Sequence, residues 1–280
     1  MKSSTSPKKA KKSLSSTRWT LQIIALFSTA LIGLRHILPG ESSRGGSFDT
    51  FCPFGGIETL WPYLSTGTTL KTTNLLNFSI LLGVLGVALL AGRAFCGWLC
   101  PVGTTQDIMT DLGRRLTRKE SGRSGKRTSS MLPLSIQHRW EPWLRKLKYL
   151  VLAVIVPASS WTVFPPLREI CPARALFSFQ LTAPLLVSVL ILFLVSSLLV
   201  KRFSCKYLCP LGAALAPFNK IAPLRLTINQ ESCTGCGRCD AECPMDIEDI
   251  PQNLRSAECS QCLICQETCA IQDTLILKLG

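Results

Sequence analysis

Cys233, Cys236, Cys239 and Cys243 follow one another as C-x2-C-x2-C-x3-C, and Pro244 closes the run. Cys259, Cys262, Cys265 and Cys269 repeat the pattern, with Ala270 where the proline would stand. Three thiolates spaced in this way wrap one face of an iron–sulfur cubane, and the fourth reaches across to a second cluster. The spacing therefore predicts two [4Fe–4S] clusters. Cys233, Cys236, Cys239 and Cys269 hold one; Cys259, Cys262, Cys265 and Cys243 hold the other. Gly235 and Gly237 let the backbone turn tightly and leave N–H groups free to point at sulfide. Zinc is the competing metal, but zinc motifs use two separated pairs of ligands rather than seamless runs. With four cysteines on each cluster, no iron is left open to a substrate. The pattern points to electron transfer, and no catalytic residue is assigned.

Six of the fourteen cysteines lie outside these runs. Cys96 and Cys100 are spaced i, i+4, as are Cys205 and Cys209, and each pair is followed by a proline. On a continuous helix each pair would share one face. Four sulfurs could then meet in a further metal or redox site, with Arg93 and Arg202 offsetting thiolate charge. The competing reading is buried structural cysteine. Cys52 and Cys171 each precede a proline as well. They could form a disulfide, a redox-active thiol pair or an outer metal site, or they could be unrelated loop cysteines. His36 falls at the outer end of the first apolar run and His138 in the basic cytoplasmic loop, so the two are not expected to ligate one haem. His36 reads as an interfacial histidine rather than the border of a quinone head group. Ser65–Thr69 has a threonine where a covalent flavin attachment sequence carries alanine, and it reads as a loop.

The elements that position these residues are apolar. The chain is 47% hydrophobic and 17% charged, against about a quarter charged in soluble domains. Apolar runs cover Leu21–Leu38, Leu75–Gly92, Tyr149–Phe164 and Leu181–Val200. A membrane-spanning helix needs about 20 such residues. The third run is short and contains Pro157, which predicts a kink or a longer helix that includes Leu147. The second and fourth runs are framed alike. Phe51-Cys52-Pro53-Phe54 and Ile170-Cys171-Pro172-Ala173 precede them, and Arg93–Gly103 and Arg202–Gly212 follow, with Arg, both Cys, Leu, Pro and Gly in register. The expected fold is an α-helical membrane protein with four transmembrane helices, arranged as two repeated two-helix units. A small α+β ferredoxin-like domain of the 2[4Fe–4S] type follows, because Leu224–Ile228 and Leu275–Leu279 alternate as strands around the cysteine runs. The expected segments are a basic tail at 1–18, a membrane domain at 19–223 and the cluster domain at 224–280.

The net charge of +14 is placed unevenly. Lysines and arginines crowd the N-terminal tail, the loop between the second and third runs, and the segment after the fourth run. The segments 39–74 and 165–180 hold two each. The positive-inside rule puts both termini, and the cluster domain, in the cytoplasm. Ser121–Ser130 reads as a flexible cytoplasmic loop. Met1–Arg18 is not followed by a small-residue cleavage site, so it reads as part of a signal anchor. Nucleic-acid binding is not expected, because no basic stretch carries a stacking aromatic platform. No dinucleotide or Walker fingerprint occurs.

The two C-x3-C-P elements, Cys96–Pro101 and Cys205–Pro210, together with the tandem cluster motifs, resemble the NapH/NosR/CcoG-type membrane polyferredoxins. The resemblance covers Phe51–Gly280. Phe51–Glu58 looks like members near the regulatory nitrous-oxide branch, whose large periplasmic flavin-binding regions have no counterpart here. The resemblance implies a multi-pass protein of the bacterial inner membrane. It also implies electron exchange between a quinol or a cytoplasmic donor and an extracytoplasmic redox system, with redox proteins, lipid and quinone as partners. Two other functions fit the same motifs: a copper reductase or assembly factor for a respiratory enzyme, and a membrane iron–sulfur redox sensor. Two His and four Met are few for copper handling, and no output domain is recognisable.

Overall fold

The structure is a computed structural model that describes residues 7–35, 52–67, 75–120, 141–159, 171–177, 184–271 and 274–280. His36, His138 and the Ser121–Ser130 loop lie outside the described residues, as do the ends of the first and third apolar runs. Helix α1 (Pro7–Arg35) runs through Arg18 without a break. It contains Leu14–Leu34, 21 residues of mean hydropathy 1.3. Among the described residues this is the one helical stretch long and apolar enough to cross a membrane. The second and fourth runs form α3 (Leu75–Ala91) and α8 (Pro184–Leu199). Both are apolar all round but shorter. The third run belongs to α6 (Glu141–Ala158), which starts well before Leu147 and holds Pro157 in its last turn.

The repeated sequence folds into a repeated series of elements. Cys52 precedes α2 (Pro53–Thr66), and Cys171 precedes α7 (Pro172–Phe177). Proline fits the first helical position because its missing N–H would find no partner there anyway. After α3 come α4 (Ala94–Trp98) and α5 (Pro101–Glu120). After α8 come α9 (Phe203–Tyr207) and α10 (Pro210–Leu215). Each short helix carries the first cysteine of a C-x3-C-P element as its third residue.

The chain divides into two compact units. One comprises Leu26–Gly86 and Pro101–Ala214. Within it α5 packs on α8, and α6 packs on α2 and α9. Thr110 Oγ1 donates to the Ser197 carbonyl at 3.0 Å, and Arg202 grips Asp107 with two bonds of 2.8 and 2.6 Å.

The other unit comprises Met1–Ala25, Val87–Cys100 and Leu215–Gly280. Its sheet is β1 (Leu224–Ile228) paired antiparallel with β2 (Leu275–Leu279). Leu224, Leu226 and Ile228 oppose Leu279, Leu277 and Leu275, so the alternation sets the register by matching apolar faces. Helices α12 (Arg238–Ala241) and α13 (Ile264–Thr268) lie between the strands in sequence and pack on each other. Leu226, Leu263 and Leu275 form one core cluster. Cys243, Met245, Ile247 and Ile250 form another. The helix α11 (Phe218–Ile221) leads into β1.

Candidate iron–sulfur sites

The two cysteine loops follow the same backbone course. In the first, Gly235 and Gly237 flank Cys236 with φ of 62° and 65°. In the second, Gln261 and Leu263 flank Cys262 with φ of 49° and 60°. The left-handed turn therefore recurs on both sides of each middle cysteine. Glycine adopts it freely, whereas for residues with a Cβ it costs roughly 1–2 kcal/mol each. The second loop recovers this cost through packing and hydrogen bonds. Leu263 is buried against Leu226 and Leu275. The Gln261 carbonyl accepts from Trp98 Nε1 at 3.0 Å, and Gln261 Nε2 donates to the Leu224 carbonyl at 3.3 Å.

Cys233, Cys236, Cys239 and Cys269 line one cavity of about 350 Å³. Cys243, Cys259, Cys262 and Cys265 line a second, of about 40 Å³. The fourth cysteine of each run thus lines the cavity of the other run. Among the described residues, no three His, Cys, Asp or Glu side chains converge on a single metal ion. A set of four thiols around each cavity fits a thiolate-ligated iron–sulfur cluster.

The two cavities differ in their surroundings. Around the first, Thr234 through Arg238 are all exposed. The second is walled by Met245, Ile247, Ile250, Leu254 and Leu263. The thiols respond accordingly. The backbone N–H of Arg238 holds the Cys236 thiol below its ordinary range. Burial, helped by Asp240, pushes Cys239 up to about 11. Burial pushes Cys259 up to about 12, while the Arg93 guanidinium is among the groups pulling it down. Burial also raises Cys243 and Cys265. Cluster ligation must displace these protons.

The second loop is also held by side chains from far away in sequence. Arg18 Nη1 donates to the Cys262 carbonyl at 3.2 Å. Asn219 Nδ2 lies 3.2, 3.3 and 2.6 Å from the carbonyls of Ser256, Ala257 and Cys259. Its Oδ1 accepts the Arg93 N–H at 2.7 Å. Arg93 Nη1 donates to the Ala257 carbonyl at 3.0 Å. Gln22 Nε2 donates to the Gly97 carbonyl at 3.0 Å. A Cβ at Gly97 would stand 2.5 Å from the Ser260 oxygen and 3.0 Å from Cys262 Cα, so only glycine allows this approach. None of these partners was singled out from sequence as a cluster-loop contact. Trp98 and Arg93 sit within the repeated motif, which is the one signal that could have drawn attention to them.

The C-x3-C-P elements depart from expectation. Cys96 lies on α4, but Cys100 lies beyond its end, and its N–H bonds to the Phe95 carbonyl five residues back at 3.0 Å. Cys209 likewise lies beyond α9, bonded to the Ser204 carbonyl at 2.8 Å. Neither pair shares a continuous helix. Pro101 and Pro210 are the cause, because a proline drives the preceding residue out of the helical region. Cys96 and Cys205 are buried, Cys100 and Cys209 partly so. Arg93 and Arg202 take different partners, Glu258 and Asp107. Cys52 and Cys171 are neighbours within one unit. Burial pushes the Cys52 thiol up to about 12, and the charge of Cys171 pushes in the same direction. Asn77 Nδ2 donates to the Cys52 carbonyl at 3.3 Å.

The family described as a 4Fe-4S binding domain matches the chain twice, at residues 73–120 and 182–229. A 4Fe-4S dicluster domain matches residues 225–270. The chain is thus an iron–sulfur protein. It is 32% identical to the putative electron transport protein YccM of Escherichia coli K12, over 85% of this chain and 65% of that protein. An uncharacterized protein of Methanocaldococcus jannaschii is 31% identical, over 65% of this chain and 71% of its own length. The ferredoxin-type protein NapH of Haemophilus influenzae is 28% identical, over 89% and 84%. The chain belongs to the NapH/NosR-type polyferredoxin family. It spans just under two thirds, 65%, of the length of YccM. No solved structure matches it.

Proposed function

We propose that the protein is a membrane-bound electron carrier with two [4Fe–4S] clusters in its C-terminal segment. Cys233, Cys236, Cys239 and Cys269 hold one, and Cys243, Cys259, Cys262 and Cys265 hold the other. The observation that carries this reading is the exchange of fourth cysteines between two cavities, each lined by four thiols. Bound there, the clusters supply one-electron transfer at low potential. The chain's own residues supply thiolate ligands, backbone turns and, around the second cavity, exclusion of water. The names of relatives such as YccM and NapH favour the same reading.

Cys96, Cys100, Cys205 and Cys209 supply further metal or iron–sulfur ligands. The support is that each pair falls within one copy of the repeated 4Fe-4S binding domain. Cys52 and Cys171 form an outer thiol pair, on disulfide, redox or metal duty. Four helices span the inner membrane, with the cluster domain in the cytoplasm. Electrons pass between a quinol or cytoplasmic donor and an extracytoplasmic redox system. The test is anaerobic purification of the full chain, with iron and sulfide counted and the reduced protein examined by EPR. About eight irons in the C-terminal sites and two interacting low-potential signals are expected. Stoichiometric zinc without iron would defeat the reading. Reporter fusions at Gly280 and Gly67 should report opposite sides of the membrane.

A further inference from the structure

The cluster loop of the second cavity carries a carboxylate near each end, Glu258 just before Cys259 and Glu267 just after Cys265. Each faces an arginine from a distant segment. Arg93 Nη1 lies 3.5 Å from Glu258 Oε2, with its own side chain 1% exposed. Arg18 Nη1 lies 3.7 Å from Glu267 Oε1. Both arginines also donate to carbonyls of the loop itself, at Ala257 and Cys262. Asn219 fixes Arg93 by accepting its backbone N–H and ties the same point to the Cys259 carbonyl. The first loop carries its own arginine, Arg238, which is exposed.

We propose that Arg18 and Arg93 form a two-arginine clamp that positions the second cysteine loop and supplies counter-charge to the thiolates that line the second cavity. The inference rests on the two-cluster reading above. Four thiolates in an apolar cavity are costly to hold charged, and buried cations offset that cost. Glu258 and Glu267 lie on the loop's flanks, 3.5 and 3.7 Å from the two guanidinium groups. Removing an arginine therefore does two things: it withdraws a cation and leaves a carboxylate beside the thiolates. Each change disfavours addition of an electron at this site. The sequence repeat underlines the specialisation, because Arg202, the counterpart of Arg93, is committed to Asp107.

The test uses the full chain assembled anaerobically, with an EPR-monitored redox titration of wild type, Arg93→Gln, Arg93→Lys and Arg93→Gln/Glu258→Gln. The iron count of the wild type judges the two-cluster reading separately. Given that count, Arg93→Gln should make one cluster at least tenfold harder to reduce, about 59 mV for a one-electron couple, and leave the other unmoved. Arg93→Lys should recover part of the shift. The double variant should recover most of it, because the stranded carboxylate goes too. Arg18→Gln tests the other end of the clamp and stands in if Arg93→Gln does not assemble. Equal shifts in both clusters, or no shift in either arginine variant, would overturn the clamp.

Discussion

Gly237 and Leu263 occupy the same turn of two loops, one exposed and one buried. The first loop reaches its left-handed backbone with glycines. The second reaches it with Gln261 and Leu263, held by Trp98, by the strand residue Leu224 and by a core of leucines. One geometry is thus locally encoded in one loop and imposed by tertiary contacts in the other. An exposed loop cannot rely on packing to hold a strained turn, so it uses glycine. A buried loop gains apolar contact from Leu263 that glycine could not provide.

The largest test of this contrast removes a ligand from each cavity. Cys236→Ser and Cys262→Ser should each lose about half the iron of the cluster domain. The buried replacement should also destabilise the fold, because Cys262 packs within the clamped loop. Iron analysis and thermal denaturation check both outcomes. Equal stability of the two variants would break the comparison.

Thiol reactivity gives the next test. In the full chain freed of iron under native conditions, Cys236 should be alkylated first at neutral pH. It is exposed, and its thiol titrates below the ordinary range, so thiolate is present earlier as pH rises. Cys259, pushed up to about 12, and Cys265, raised likewise by burial, stay protonated through mildly alkaline pH and should react far more slowly. Peptide mapping after timed iodoacetamide should show a difference of more than about tenfold.

Smaller effects sharpen the picture of the turns. Gly235→Val should cost about 1–2 kcal/mol, because a β-branched residue resists positive φ. Gln261→Gly should cost less than that, since relief of strain offsets the lost bond to Leu224. Chemical denaturation of the assembled chain measures both. The smallest expected change is Trp98→Phe, which removes the bond to the Gln261 carbonyl. It should cost about 0.5–1.5 kcal/mol and leave the iron content unchanged.

Much of this was legible in the sequence. The cysteine period pointed to a crossing of fourth cysteines between the two runs, and the two cavities are lined in that crossed pattern. The leucine alternation gave both strands and their matching faces. The cysteine–proline pairs marked helix starts, yet the i, i+4 spacing of Cys96 and Cys100 suggested a shared helix face that Pro101 rules out. That signal lay in the sequence and was outweighed by the spacing.

Local chemistry determined the rest of what the sequence could say: which residues are thiols, where a proline stops a helix and where a glycine frees a turn. Only the tertiary structure decided that Arg93 serves Glu258 while its repeat partner Arg202 serves Asp107. It alone placed Asn219 on three carbonyls of a loop some 40 residues away. It also turned Gln261 and Leu263 to positive φ. The physical reason is that such contacts join segments whose separation along the chain carries no period. A hydrogen bond across 164 residues, as between Arg93 and Ala257, leaves no pattern in either segment alone.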